Sequence, residues 1–358
     1  MAELTTQEVL RRRVATQRLA GNPLPTATDV VRLLACVQSQ EWAHAFWSLG
    51  MRAAGLGYAE VLTEFNAGSI LRTHLLRPTW HLVAAEDIRW ILAATSPRVQ
   101  QTNTTIYRRE GLDQATLDRG TELLMELLGG GNHLTRTQLA DLLAATGLVT
   151  DRFTVAYVIM NAELEGVVCS GPLRGAQHTY ALLDERAPRS AARGGDVGEL
   201  ARRFFAGHGP ASAADLACWA SLTQVQARAA VEAVADRLEQ VQADGTELWF
   251  DPETAADGAT DEALFVPLFD ELTLSYPKIN FPVAAGHPHL PGEDLRVGSV
   301  LLNLTNVGLW RRTVQGRTVI MELLLAPDVP NGDRERIEAT AASLARFLGK
   351  RLELRFRT

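Results

Sequence analysis

The chain has 358 residues, 46% of them hydrophobic, and its 42 acidic against 35 basic residues give a net charge of −7. That length suits two to four compact units with ordinary cores rather than one small module. No apolar run approaches the roughly 18–20 residues of a membrane span, and the start of the chain, with Glu3, Glu8 and Arg11-Arg12-Arg13 inside a helical pattern, does not read as a signal peptide.

The first predicted helix covers 7–20 and is ended by Gly21-Asn22-Pro23. Thr26 or Thr28 caps a second helix over 29–37, whose Val30, Leu33, Leu34 and Val37 keep helical spacing. After a polar break at 38–41, helices are predicted over 43–54 and 58–66, and the weak alternation of 76–83 reads as a strand or wing. A linking helix over 85–100 is expected to end near Ser96-Pro97. Helices over 117–128, 136–145 and 153–163 follow, then strands over 167–169 and 178–182 around a turn at 171–175. The stretch 184–195, with Pro188, Gly194 and Gly195, is the linker candidate. The next phrase is the clearest: a helix over 197–205, Gly207-His208-Gly209-Pro210, a helix over 213–220, another from Thr223, then strands over 238–241 and 247–250 around Ala243-Asp244-Gly245. An acidic loop is expected over 251–261. Beyond it, strand-like 265–269, 299–304, 308–314 and 317–325 form a β-meander with a hairpin turn at Gln315-Gly316, followed by a helix over 334–348 and a closing strand over 352–356.

The same helix, helix, β-hairpin phrase is thus written three times, the pattern of a winged helix-turn-helix that enters a DNA groove. The fold expected is mainly α with β-hairpins (α+β). Three tandem winged helices occupy 1–100, 101–187 and 196–258, and a β-rich C-terminal unit occupies 259–358. Net acidity is awkward for a nucleic-acid protein, but the charge is uneven. Residues 241–271 carry nine carboxylates and no Lys or Arg, whereas 281–358 carry eleven basic against eight acidic residues. A local basic face can outweigh the sum.

Cys36, Cys169 and Cys218 are odd in number and far apart, which points to a reducing cytoplasm and against a disulfide framework or zinc site. His287-Pro288-His289 lacks a matching ligand cluster, so no metal is expected. No phosphate-binding glycine motif or nucleophile elbow is present, and no cofactor is expected. Only Lys278 and Lys350 supply side-chain amines for Schiff-base chemistry.

Three stretches could carry chemistry. In Cys36-Val37-Gln38-Ser39-Gln40-Glu41-Trp42, two glutamines straddle a small residue at a helix end and could share one cavity if the helix unwinds there. Cys36 is either a nucleophile or a buried small hydrophobe. In Arg77-Pro78-Thr79-Trp80-His81-Leu82-Val83, His81 is a general acid, a stacking partner of Trp80, or a strand histidine satisfied by backbone. Trp310, Arg311, Arg312 and Arg317 surround one hairpin, and a basic, aromatic hairpin tip suits phosphate contact and base-step wedging. Lys278 in its loop could add a phosphate contact.

Val37-Gln38-Ser39-Gln40, the Arg77–Val83 stretch, Pro267-Leu268-Phe269-Asp270-Glu271-Leu272 and Val307-Gly308-Leu309-Trp310-Arg311-Arg312 together resemble the AlkZ-like winged-helix DNA glycosylases, in order and over essentially the whole chain. The resemblance implies three winged helices in a C-shape with a β-rich C-terminal part. It also implies a Gln-Φ-Gln catalytic motif on Gln38 and Gln40. The middle position, usually apolar, is Ser39 here. The broad-specificity branch typified by YcaQ has aspartate where Gln40 stands, so the glutamine points to the crosslink-resistance branch. The implied activity is monofunctional excision of cationic alkylated purines of the N7-alkylguanine type. It extends to bulky natural-product adducts and interstrand crosslinks, in self-resistance or base excision repair. Arg77, Lys278, Trp310, Arg311, Arg312 and Arg317 are the candidate DNA contacts, and Thr79, Trp80 and His81 support the loop. The partner expected is damaged double-stranded DNA, bound by a monomer. The rival readings are a winged-helix transcription regulator, disfavoured because regulators of this type use one module per chain and dimer symmetry, and a non-catalytic lesion-binding protein.

Overall fold

The computed structural model describes residues 2–148, 151–187, 196–254, 263–288 and 297–357. Most helix starts are specified by their own side chains. Thr5 with Glu8, Thr135 with Gln138, Ser212 with Asp215 and Thr223 with Gln226 form reciprocal capping boxes. The helix Ala27–Leu34 is capped by Thr26, and Glu64 from the helix Tyr58–Ala67 accepts its first N–H groups, at 3.1 Å from Ala27 and 2.8 Å from Thr28.

Three small sheets share one topology. In the first, Cys36–Gln38 and Ile70–Leu75 flank the central strand Thr79–Ala84. In the second, Leu134–Thr135 and Val168–Ser170 flank Thr179–Leu182. In the third, Glu239–Ala243 and an isolated bridge at Ala211 flank Thr246–Phe250. Each time a short strand or bridge that follows a helix pairs with the last strand, and two further helices lie between them. That is the winged helix-turn-helix order. The N-terminal Ala2–Glu3 adds a parallel edge to the third sheet.

The C-terminal sheet runs Leu264–Val266, Val297–Leu302, Thr305–Gln315 and Thr318–Leu325 antiparallel, as a meander. The closing strand Arg351–Arg357 joins parallel after the crossover helix Asn331–Phe347, because a parallel neighbour needs a long return. Gln315 pairs with Thr318, so the hairpin turn is Gly316-Arg317, one residue later than expected.

Four expected boundaries move. The first helix is Thr6–Thr16 and stops well before Gly21. The second stops at Leu34, because Ala35 takes φ 62, and Cys36–Gln38 is a strand. The wing is a full hairpin, whose first strand Ile70–Leu75 is buried on both faces and shows no alternation to read. The linking helix runs Ile88–Arg109 straight through Pro97. A proline costs that helix one hydrogen bond. Trp90, Ile91 and Leu92 in its first half join one core, and Val99 and Tyr107 in its second half join another. The linker candidate 184–195 begins inside a short helix, Leu183–Arg186, and its residues 188–195, with 255–261 of the acidic loop and His289, lie outside the described residues. No described helix is long and apolar enough to cross a membrane.

The first sheet lies between two cores. Val37, Ile70 and Leu82 face a cluster completed by Phe265, Trp310, Met321 and Phe347 of the C-terminal part. Cys36, Leu71 and Val83 face another, completed by Phe204, Phe205, Trp219 and Val231 of the third module. Gly207 lets these parts meet, since a Cβ there would lie 2.4 Å from the Leu33 carbonyl oxygen.

Candidate active site

Gln38 ends the strand Cys36–Gln38 opposite His81, at the junction of the two cores. Strand alternation puts its side chain on the same face as Cys36, the face toward the third module. Its Oε1 accepts from Arg77 Nη2 at 2.7 Å, and its backbone N–H donates to Glu271 Oε1 at 2.8 Å. Arg77 reaches it from the three-residue turn of the hairpin, Leu76-Arg77-Pro78. Ser39 is fully buried. Its N–H donates to the Trp80 carbonyl at 2.8 Å, and its own carbonyl accepts from Arg72 Nη2 at 3.0 Å. The Arg72 guanidinium lies 4.3 Å over the Trp80 ring. Gln40 is exposed. Glu41 turns its carboxylate into the next helix, Trp42–Arg52, accepting from the His44 N–H at 2.8 Å.

Beneath the loop, Glu271 is fully buried. Besides the Gln38 N–H it accepts from Trp219 Nε1 and Ser275 Oγ, each at 3.0 Å, and its Oε2 lies 3.6 Å from His208 Nε2. Burial alone would raise this carboxyl. The His208 ring, the Arg77 charge and the Gln38 N–H outweigh burial and hold it down at about 2, so it is ionised. Its neighbour Asp270 is anchored by Arg52, at 2.7 Å and 2.9 Å, and caps the short helix Glu271–Leu274.

His81 is also fully buried. Nδ1 lies 3.0 Å from the Thr79 carbonyl and so carries the proton, and Nε2 has no hydrogen-bond partner among the described residues. Burial, with the Arg77 charge behind it, lowers this imidazole to about 3. It is therefore uncharged near neutral pH, with its N–H committed to the Thr79 carbonyl, which favours the backbone-satisfied strand histidine over a general acid. Stacking on Trp80 is removed, because adjacent strand residues face opposite ways; Trp80 packs on His74, with ring centroids 4.5 Å apart. Thr79 contributes its carbonyl to His81, while its hydroxyl is buried without a partner. Cys36 is buried, and burial pushes its thiol up, the opposite of an activated nucleophile.

The family described as DNA glycosylase AlkZ-like matches residues 31–347 of this chain. An interstrand DNA cross-link repair glycosylase of Streptomyces sahachiroi is 25% identical over 371 residues, covering 96% of each protein. The solved structure of the Streptomyces sahachiroi DNA glycosylase AlkZ superposes with a TM-score of 0.79 at 22% identity, covering 99% of this chain and 100% of that one. The chain belongs to the AlkZ-like DNA glycosylases.

Membership makes it an enzyme of N-glycosidic bond cleavage. In this fold Trp80 and His81 pair beside Ser39 and Gln38, and Arg77, expected to contact DNA, also reaches the Gln38 side chain. The fold distributes the other candidates differently. Trp310 cannot wedge a base step, because it is fully buried, stacked on Phe265 and donating Nε1 to the Val266 carbonyl at 3.2 Å. Gly298 makes its seat, since a Cβ there would lie 2.4 Å from the indole nitrogen. Arg312, on the same strand face, is half-buried near Glu41. Burial lowers it and the Glu41 charge opposes that shift. Arg311 is on the other face, paired with Glu322 at 2.6 Å. Arg317 is exposed at the hairpin tip, where Lys350 Nζ donates to the Gly316 carbonyl at 2.9 Å and Arg351 pairs through its N–H. Lys278 is exposed in its loop.

Sequence reasoning missed Glu271, Arg72, Trp219 and the Lys350-Arg351 side of the hairpin tip. The segment holding Glu271 was itself part of the resemblance, but its partner lies 233 positions away. Among the described residues no group of three or more His, Cys, Asp or Glu side chains is placed to hold a metal.

Proposed function

We propose that this enzyme is a monofunctional DNA glycosylase that excises cationic alkylated purines of the N7-alkylguanine type from duplex DNA. Bulky adducts and interstrand crosslinks are included, and the role is self-resistance or base excision repair. The observation that carries the reading is Gln38, whose side-chain carbonyl accepts from Arg77 and whose backbone N–H is held by Glu271, with exposed Gln40 two residues on. A neutral amide is a weak base. It can accept a hydrogen bond from the attacking water, and its dipole favours an oxocarbenium-like sugar. Such help is sufficient only when the leaving base is already cationic and its glycosidic bond labile. Arg77 occupies one lone pair of the Gln38 carbonyl and leaves the other for water. Its other N–H groups remain for a phosphate.

A crosslinked base cannot enter a tight pocket. The exposure of Gln40 supports chemistry at an open surface, and the cross-link repair glycosylase among the relatives supports the bulky substrate. Lys278 and Lys350, the two lysines of the chain, belong to an exposed loop and to the hairpin tip, which supports hydrolysis to an abasic site without strand cleavage.

The test is release of N7-methylguanine from alkylated duplex. Wild type is expected to release it, with Gln38→Ala and Gln40→Ala each slower by about 100-fold. Uracil and 8-oxoguanine should stay in place, and borohydride should trap no covalent adduct. Efficient uracil excision, or release unaffected by both substitutions, would overturn the reading.

A further inference from the structure

We propose that Glu271 is a positioning residue for base excision: a buried carboxylate that fixes the backbone of Gln38 and ties the catalytic loop to the third winged helix and to the C-terminal part. The inference rests on the excision reading above and deepens it.

Four observations converge on this residue. The first is economy of donors. Glu271 is fully buried, yet its oxygens meet the Gln38 N–H, the Trp219 indole N–H and the Ser275 hydroxyl, from three separate parts of the chain. A buried charge is tolerated only when hydrogen-bonded in this way, and a partial set costs more than an apolar filling. The second is the fixture behind it. Arg52 and Ser48 of the first module grip Asp270, at 2.7 Å and 2.5 Å, and Asp270 caps the one-turn helix that aims Glu271. The third is the place of the bond. Gln38 lies opposite His81 while the next residue, Ser39, donates to the Trp80 carbonyl, so the Gln38 N–H points away from the central strand at the sheet edge, and without Glu271 it would be buried and unpaired. The fourth is charge. An anion directly behind Gln38 is held where excision develops positive charge in front of it, and a fixed anion in a dry site acts without reorganising.

Glu271 touches no reacting atom. It acts through Gln38, whose amide it places at the end of a strand instead of leaving it in a free loop. A displacement of about 1 Å at a reacting group can cost about 100-fold in rate.

The experiment uses the full-length protein and three variants, Glu271→Gln, Glu271→Ala and Ser275→Ala. Single-turnover release of N7-methylguanine, affinity for an uncleavable abasic-site duplex, thermal midpoint, and hydrogen exchange of the peptide holding Gln38 are measured on each. The expected result is a rate loss of about 10- to 100-fold in Glu271→Gln with DNA affinity within about threefold of wild type, a larger loss in Glu271→Ala, and a loss smaller than that of Glu271→Gln in Ser275→Ala, which removes one of the three donors and keeps the carboxylate. Exchange at the Gln38 peptide should quicken in Glu271→Ala while peptides of the second module stay as in wild type. A folded Glu271→Gln that excises at the wild-type rate would overturn the inference, as would unchanged exchange in Glu271→Ala. If wild type itself releases no base, the excision reading fails; Glu271 then stands or falls as a loop anchor on the exchange result alone.

Discussion

His81 is a group that the folded protein declines to protonate. Its folded-state value of about 3 lies well below the roughly 6.5 of an exposed histidine. Between those two values the unfolded chain binds a proton that the folded chain lacks, so stability falls as pH falls through that window, by about 1.4 kcal/mol per pH unit. His178, lowered to about 4 by burial and the Arg72 charge, pulls in the same direction, so the comparison must be between proteins at matched pH. His81→Leu is expected to lose about 1 kcal/mol less than wild type between pH 6.5 and 5.5, read from urea unfolding. Parallel pH slopes would mean that the imidazole is hydrated and charged. At this scale the sequence was legible where chemistry is local. The paired glutamines stood out at a helix end but took a catalytic role only from the family resemblance, and a backbone-satisfied strand histidine was one of the alternatives at 81. Arg77 was read as a phosphate ligand because nothing in its neighbourhood shows that a hairpin turn will aim it at Gln38.

Elements were legible where their ends are written in side chains. The helices Arg136–Ala145 and Ala213–Ala220 fall where the sequence placed them, and each starts on a capping box. The strand Cys36–Gln38 was hidden because Val37 continues the helical spacing of Val30 and Leu34 and is buried in either conformation. The C-terminal hairpin was found, but its aromatic residue was assigned to the wrong end. Trp310 is the sixth residue of the eleven-residue strand Thr305–Gln315, well short of the turn, and its indole is the wall between Phe265 and His44. Trp310→Ala should therefore cost about 3–5 kcal/mol of stability. Arg317→Ala at the exposed tip should leave stability unchanged within about 0.5 kcal/mol and weaken binding to crosslinked duplex, with a shallower salt dependence. Urea unfolding and binding measured at two salt concentrations separate the two roles. A stable Trp310→Ala protein with a selective DNA defect would restore the wedge.

At the scale of the whole molecule, the repeats are alike in topology and unlike in their cores. The first module has no core of its own: Phe46 and Phe65 share theirs with Trp310 and Phe347, and Leu71 and Val83 share theirs with Phe204 and Trp219. The second module keeps a separate cluster around Leu124, Leu143 and Ile159, closed by Val99 and Tyr107 of the long helix. It docks on the first largely through polar contacts. Glu163 bonds buried His74, Ser170 Oγ accepts the Arg72 N–H at 2.8 Å, and Asn66 accepts the Leu173 N–H at 2.8 Å. Sequence periodicity reports which residues are buried but not against which partner, which is why three equal modules could be read and their unequal cores could not. Removing one member of a buried hydrogen-bonded pair strands the other and costs about 3–5 kcal/mol. We expect Glu163→Ala to put that cost on the docking interface rather than on either core. The second module should then open as its own unit: two calorimetric transitions should replace one, with amides of the helix Gln114–Leu128 exchanging before those of the helix Val197–His208. A single transition in Glu163→Ala, with both helices exchanging together, would show that Cys169, Leu183 and Ala187, the apolar residues that the second module lends to the neighbouring core, are enough to hold it in place.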